Sequence, residues 1–325
     1  MNVICYRRPS DSTAHILQCG TPIREWPVAG AKWYCIHPFL PEEGFFFYPI
    51  ERELPGIPEI SILPTTNDSN NLSFPQYCEY LSDIKRFIGG EETRKIVASR
   101  RKILSTTVNA TLLFEKLCAR FPEAFVFLIL TREHGLWIGA SPELLLKKRG
   151  TTVETMALAG TRQVGSNRDW DEKNIKEQAI VTAHIADILG GSGLNVTIGG
   201  TMTKAAGPVE HICTPIKGEI IDIADICEML NLMSPTPALA GYPKVEAIEL
   251  IKKHETDGRS LYGGFSGPVE GNGDFDFFVT LRCAKLEQDR CILYAGGGIT
   301  YLSDEKEEWE ETEKKFSTLE ALISI

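Results

Sequence analysis

Short apolar runs broken by proline and glycine open the chain. "NVICY", "HILQC", "KWYCIHPF" and "GFFFYPI" alternate with turn residues over positions 1–50, which predicts strands of a sheet. Residues 51–75 are rich in Pro, Asn and Ser and predict a long surface connection. A helical pattern starts at Phe74, runs through "QYCEYLSDIKRFI" and stops at Gly89 and Gly90, which tolerate the left-handed backbone that ends a helix. "KIVASRRKIL" predicts a strand, "NATLLFEKLCARF" a helix, and "AFVFLIL" with "LWIGAS" a hairpin around "TREHG". Over residues 171–189, Ile175, Val181, Ile185 and Ile188 fall near one stripe, which predicts a helix ended by Gly190 and Gly191. "LYGGFSGPV" and "FDFFVTLRCAKL" predict two strands joined by "EGNGD", whose Asn-Gly favours a tight reversal, and "RCILYAGGGITYL" predicts a third. The closing helix is expected to begin at Ser303 as N-cap, with Asp304 and Glu305 at the positive end of its dipole. Antiparallel strand runs interspersed with helices point to an α+β fold and away from a doubly wound parallel sheet.

Composition narrows the class of protein. At 325 residues, 43% apolar and 24% charged, the chain fits one large domain built from two halves or two separate domains. No apolar run approaches the roughly 18 residues of a membrane helix, and no secretory leader precedes the first strand. Nine cysteines, odd in number and without a CxxC pair, suit free thiols in a reducing cytoplasm and speak against a disulfide framework or thiolate zinc site. The expectation is a cytoplasmic protein that binds neither membrane nor nucleic acid, since a net charge of −10 disfavours tracking phosphates. The same charge repels any anionic ligand, which then needs a local nest of Arg, Lys and backbone N–H groups or a bound cation.

Candidate chemistry is scattered. In "SDEKEEWEETEKKF", Glu308, Glu311 and Lys315 share one helical face beside an apolar stripe of Trp309, Thr312, Phe316 and Leu319; read alone, this is a solvated amphipathic helix. Glu177 lies mid-helix beside another stripe, and glutamates from two helices would meet at one point only around a cation, for which oxygen-only ligands indicate Mg²⁺. Glu143 follows a strand between apolar neighbours in "GASPELLL"; burial would raise its pKa and keep it protonated, as a general acid requires, while the alternative is an exposed edge glutamate. Lys95 alternates with Val97 and Ser99 on one strand face, and work as a base needs desolvation or nearby positive charge such as Arg100 or Arg101. None of the Gly-rich segments fits a P-loop or dinucleotide fingerprint, although "AGGGITYL" has a strand before it and a helix after it and could cradle a carboxylate. His211, by default, is a hydrogen-bonded structural histidine.

Taken in order, "KIVASR", "IGASPELLL", "MALAGTR", "KNIKEQAIV", "EHICTPIKG", "SPTPALAGYP", "YGGFSGPVEGNGDFDFFVTLRCAKL" and "YAGGGITYLSDEKEEWEETEKKFSTL" closely resemble the chorismate-utilising enzymes. That family includes isochorismate synthase, salicylate synthase, anthranilate synthase component I and aminodeoxychorismate synthase component I. The resemblance spans about residues 76–323 and implies two similar halves with large antiparallel sheets packed as a layered α/β sandwich. On this reading residues 76–325 form the chorismate-binding catalytic region, and residues 1–75 add sheet-forming sequence and a Pro/Asn-rich connection to the same domain. The resemblance further implies that Glu177, Glu311 and Glu308 hold Mg²⁺, which in turn holds the ring carboxylate. It places Gly160 and Thr161 at that carboxylate, His211 and Thr236 along the pocket, and Tyr262, Arg282, Gly298 and Lys315 on the enolpyruvyl carboxylate. Arg282 suits a bidentate grip.

Lys95 is the discriminating position of the resemblance. Members that use water carry a lysine there, anthranilate synthase lacks it, and aminodeoxychorismate synthase has a nucleophilic lysine in "PIKGT" where this chain has "ALAGT". The "PIKG" around Lys217 is a different motif. The implied activity is isochorismate synthase, an isomerase for menaquinone or siderophore biosynthesis, with Lys95 activating water for attack at C2 and Glu143 protonating the departing C4 hydroxyl. Salicylate synthase, which adds pyruvate elimination, is the nearest alternative; an ammonia-using relative or a non-catalytic chorismate-binding protein is further off. No glutamine amidotransferase subunit is expected, and the chain is read as a monomer or homodimer. Ser234, Gly297 and Pro268 depart from residues common in the family.

Overall fold

Two antiparallel sheets meet at one shared strand. The computed structural model describes residues 1–60, 71–91, 94–166, 169–206, 209–220 and 225–323, and the backbone only at 161, 163, 173, 177, 205, 206 and 209. In chain order the strands are β1 (Asn2–Arg7), β2 (His15–Cys19), β3 (Trp33–His37), β4 (Phe46–Glu53), β5 (Lys95–Leu104), β6 (Phe125–Thr131), β7 (Gly135–Ser141), β8 (Leu144–Arg149) and β9 (Thr152–Gln163). They continue as β10 (Leu194–Ile198), β11 (Met202–Ala206), β12 (Val209–Ile220), β13 (Gly241–Tyr242), β14 (Phe265–Val269), β15 (Phe275–Val279), β16 (Cys283–Leu286) and β17 (Cys291–Ile299). The helices are α1 (Phe74–Ile88), α2 (Ala110–Arg120), α3 (Glu172–Gly191), α4 (Ile226–Met233), α5 (Lys244–His254) and α6 (Glu305–Ile323).

The first sheet runs β4-β2-β1-β6-β7-β16-β17-β5-β13. The second runs β4-β3-β14-β15-β8-β9-β12, with β10 and β11 sharing the far edge of β12. Phe46 to Pro49 of β4 pair with β3, and Ile50 to Glu53 pair with β2, so this strand turns the corner between the sheets. The fold is α+β, as the strand pattern predicts.

Alternation along each strand supplies the layers. Tyr6, Phe125, Phe127, Trp137 and Tyr294 of the first sheet meet Tyr34 and Phe278 of the second in an aromatic middle layer. On the outside, α2 and α6 cover the first sheet through Leu113, Phe114, Leu117, Phe316 and Leu319, while α3 and α4 cover the second through Val181, Ile185, Ile188, Met229 and Leu230. A fourth cluster packs α1 and α5 against Ile96, Ala98 and Ile299 at the end of β5 and β17. Each large apolar side chain so enclosed contributes about 1.5–3 kcal/mol.

Four details differ from the pattern-based expectation. Ile175 is 54% exposed, because the apolar stripe that meets the sheet begins only at Val181, nearly two turns later. Helix α3 continues through Gly190 and Gly191, and Ser192 caps it. "FDFFVTLRCAKL" is two strands: β15 belongs to the second sheet, β16 to the first, and the chain passes between them at residues 280–282. Finally, Asp304, not Ser303, caps α6 by accepting from the backbone N–H groups of Lys306 and Glu307, each at 3.0 Å.

Candidate active site

Two chain crossovers between the sheets lie side by side. One, residues 142–143, leads from β7 to β8 and carries Glu143; the other, residues 280–282, leads from β15 to β16 and carries Arg282. Backbone bonds lock them together: Ala140 N–H donates to Arg282 O at 3.3 Å, and Val279 N–H to Glu143 O at 3.0 Å. Arg282 adopts φ +44°, a region costly for a residue with a Cβ and one often found at ligand-binding sites. Burial pushes the Glu143 carboxyl from 4.5 up to about 7, against the attraction of Arg282. No described residue donates a hydrogen bond to that carboxyl group.

The second component is the triple glycine of β17. Lys95, Val97 and Ser99 share the face of β5 that Gly296 and Gly298 present on β17, since Val97 stands opposite Gly298 and Ser99 opposite Gly296. A Cβ on Gly298 would run into Lys95 Cε, so only glycine lets the lysine lie across this strand. On Gly296 a Cβ would lie 3.1 Å from the Tyr262 hydroxyl, and on Gly297 2.7 Å from Glu308 Oε2. Gly297 thus leaves space for the Glu308 carboxylate. Lys315 Nζ donates to Gly296 O at 2.6 Å and pairs with Glu311 at 2.7 Å. Arg100 points to the other face, where it donates to Thr312 Oγ1 at 2.6 Å and lies 3.6 Å from the Trp309 ring centroid; Arg101 pairs with Asp257. Both guanidiniums are therefore committed elsewhere.

The second sheet supplies the third component. Gly160, at φ +62° in β9, accepts a 2.8 Å hydrogen bond from His211 Nδ1, which fixes that nitrogen as the protonated one. Burial lowers the His211 pKa against this bond, and Arg282 and Lys315 act in the same direction as burial. The histidine is thus neutral and within electrostatic reach of both cations. Thr236, in the turn after α4, has a buried hydroxyl without a described partner and lines a narrow cavity of about 30 Å³ with Glu143, Thr155 and His184. Thr161 lies in β9 and Glu177 in α3, and the side chains of both fall outside the described residues.

Glu308 and Glu311 bear on a metal. Glu308 is half-buried and its pKa is raised by burial and by the charge of Glu311, against the Ser303 hydroxyl that donates to it at 2.7 Å and the charges of Lys315 and Lys95. Two carboxylates one turn apart, one of them partly desolvated, fit a hard divalent cation that would relieve their repulsion. Among the described residues no three acidic, histidine or cysteine side chains converge on one point. Ser303, which sequence reasoning used as a cap, is here a partner of Glu308; its position next to a strand end and five residues before an acid was the available signal.

Residues 58–324 match the family described as chorismate binding enzyme. The chain is 32% identical over 238 residues to isochorismate synthase EntC of Escherichia coli (strain K12), covering 69% of this chain and 61% of that protein. It is 29% identical over 264 residues to anthranilate synthase component 1 of Acetivibrio thermocellus, covering 77% of this chain and 53% of that protein. The chain thus spans about three fifths or less of these relatives. The solved structure of MenF, the menaquinone-specific isochorismate synthase from Escherichia coli, superposes with a TM-score of 0.84 at 21% identity, covering 99% of this chain and 89% of that one, and so shares its fold.

Proposed function

The chain belongs to the chorismate binding enzymes, and on that premise we propose that it is an isochorismate synthase, converting chorismate to isochorismate by adding water at C2 and expelling the C4 hydroxyl. Two observations support this reading: a lysine laid across a glycine strand, and a carboxyl group whose pKa burial raises to about 7.

In this reading Lys95 takes a proton from the attacking water, the ring double bonds shift, and Glu143 gives its proton to the leaving hydroxyl, which departs as water. One water enters and one leaves; return of the proton from Lys95 to Glu143 restores both groups. Arg282, Lys315 and the Tyr262 hydroxyl hold the enolpyruvyl carboxylate beside Gly298, while His211, Gly160, Thr161 and Thr236 border the ring. Arg282 also biases the charge balance: it favours ionised Glu143 less than burial disfavours it. Mg²⁺, held by Glu177, Glu308 and Glu311, would supply the positive charge that a dianionic substrate needs in a protein of net charge −10. The enzyme would work in the cytoplasm, without an amidotransferase subunit, and feed menaquinone or siderophore synthesis.

The test is to incubate purified protein with chorismate and Mg²⁺, without ammonia or glutamine, and to identify products by chromatography. Isochorismate alone is the expected result, and chelation of the metal should abolish it. Salicylate with pyruvate would transfer the chain to salicylate synthase, and no product would leave a binding protein.

A further inference from the structure

Past its short pairing with β13, the outer edge of β5 has no partner strand among the described residues. An ion pair stands there instead. Val97 O accepts from Arg259 Nη2 at 2.7 Å, Ser99 N–H donates to Glu255 Oε1 at 2.9 Å, and the Ser99 hydroxyl donates to Glu255 Oε2 at 2.7 Å. Arg259 Nε and Nη2 each reach the Glu255 carboxylate at 2.6 Å, and the Tyr80 hydroxyl donates to it at 2.9 Å. The side chains of Arg259 and Glu255 are 1% and 10% exposed.

The same arginine extends to the other parts of the site. Its Nη1 donates to Leu239 O at 2.6 Å, three residues beyond Thr236, and Arg259 O accepts from Tyr262 N–H at 2.9 Å. Three segments that carry proposed site residues therefore meet at one residue: the strand of Lys95 and the turn of Thr236 through its side chain, and the turn of Tyr262 through its backbone carbonyl. Stability alone does not account for the arrangement, because a buried ion pair is commonly no better than well-packed apolar residues of the same volume. An apolar pair would leave the carbonyls of Val97 and Leu239 without these donors and the strand edge without a frame.

We infer that Glu255 and Arg259 are positioning residues of the proposed reaction, a surrogate strand that fixes the first residues of β5, and so Lys95, relative to the Thr236 and Tyr262 turns. The inference rests on the proposed function for its kinetic readout. The hydrogen bonds of both side chains go to protein groups: Tyr80, Ser99, Val97 and Leu239 besides each other. Displacement of a base by about 1 Å can cost a hundredfold in rate while leaving the groups that grip the substrate in place.

Arg259→Lys is the discriminating variant. It keeps the charge beside Glu255, but a single ammonium on a flexible stem cannot reproduce a fork that serves Glu255, Val97 O and Leu239 O together. Expected are a folded protein, a kcat lower by about tenfold to a hundredfold, a KM for chorismate within about threefold of wild type, and faster amide hydrogen exchange at residues 95–99 than at β6. A kcat within about threefold of wild type, or a loss of rate with unchanged exchange at residues 95–99, would overturn the inference. Should Arg259→Lys fail to fold, the double change Glu255→Leu with Arg259→Met leaves no unpaired charge and is held to the same outcomes. If the wild type makes no isochorismate, the functional reading fails by itself, and hydrogen exchange still reports whether the pair frames β5.

Discussion

Two of the glutamate–arginine couples among the described residues, Glu255 with Arg259 and Glu143 with Arg282, behave oppositely. Glu255 receives five donors, two from Arg259, two from Ser99 and one from Tyr80, and its charge is fully spent on structure. Glu143 faces Arg282 with no hydrogen bond from a described residue, and burial outweighs the arginine so that its carboxyl titrates at about 7. The residue types are the same, and what differs is the supply of partners. A carboxylate saturated with donors is committed to holding its neighbours in place, whereas one desolvated and left short of donors is pushed towards its protonated form and becomes available as an acid.

The largest expected effect strikes the undersupplied couple. Glu143→Gln preserves shape but has no proton to donate at the C4 oxygen, so kcat should fall by about 10²- to 10⁴-fold while chorismate still binds. Product formation by chromatography and binding by calorimetry check the two halves of this statement. Lys95→Ala should do the same from the base side. Wild-type rates in either variant would dissolve the contrast, since Glu143 would then be one more buried acid.

Glu255→Ala tests the saturated couple, where the expected loss is in stability. Removing the carboxylate strands Arg259 as an uncompensated buried charge, which costs about 3–5 kcal/mol. Denaturant unfolding measures it. A loss below about 1 kcal/mol would mean that water reaches Arg259 and that the pair is not the closed network its bonds describe.

A pH series separates the couples more finely. The native state raises the Glu143 pKa from 4.5 to about 7, so it holds a proton that the unfolded chain has lost between those values. Stability therefore falls as pH rises through this window and levels off above it, by at most about 3 kcal/mol. Glu143→Gln does not titrate; it should match wild type near pH 5 and melt at a higher temperature than wild type near pH 8. Activity that needs the protonated acid should decline above about pH 7. Equal melting of the two proteins at both pH values would show that the carboxyl is not desolvated.

Much of the fold is legible in the sequence because its signals are local. Ser73 with Gln76 and the left-handed Gly89 bracket α1, and β5 covers the predicted "KIVASRRKIL". The passage of "FDFFVTLRCAKL" from one sheet to the other is not legible: the run is apolar on both sides of the break, and nothing in its composition marks Arg282 as a residue with positive φ. In the site, alternation alone puts Lys95, Val97 and Ser99 on one face, yet spacing cannot bring Lys95 to Gly298 or Glu143 to Arg282. Only the ordered motifs of a known family suggested that convergence. Nothing local in "HETDGRS" marks Glu255 and Arg259 as enclosed, because their partners come from positions 80, 97, 99 and 239, far away in sequence.

The smallest expected effect belongs to a third pair, Lys217 and Glu154, which stand opposite each other on β12 and β9 at 2.7 Å with side chains 61% and 38% exposed. Lys217 sits in the "PIKG" stretch that invites comparison with a nucleophilic lysine. Six residues of strand, about 20 Å, separate it from His211 at the other end of β12. Its charge meets water as well as Glu154, so it is neither starved of partners like Glu143 nor enclosed like Glu255. Lys217→Ala should leave kcat within about twofold of wild type and the melting temperature nearly unmoved. A loss of activity comparable with that of Lys95→Ala would assign the chemistry to the wrong lysine, and the undersupplied couple would no longer mark the reacting centre.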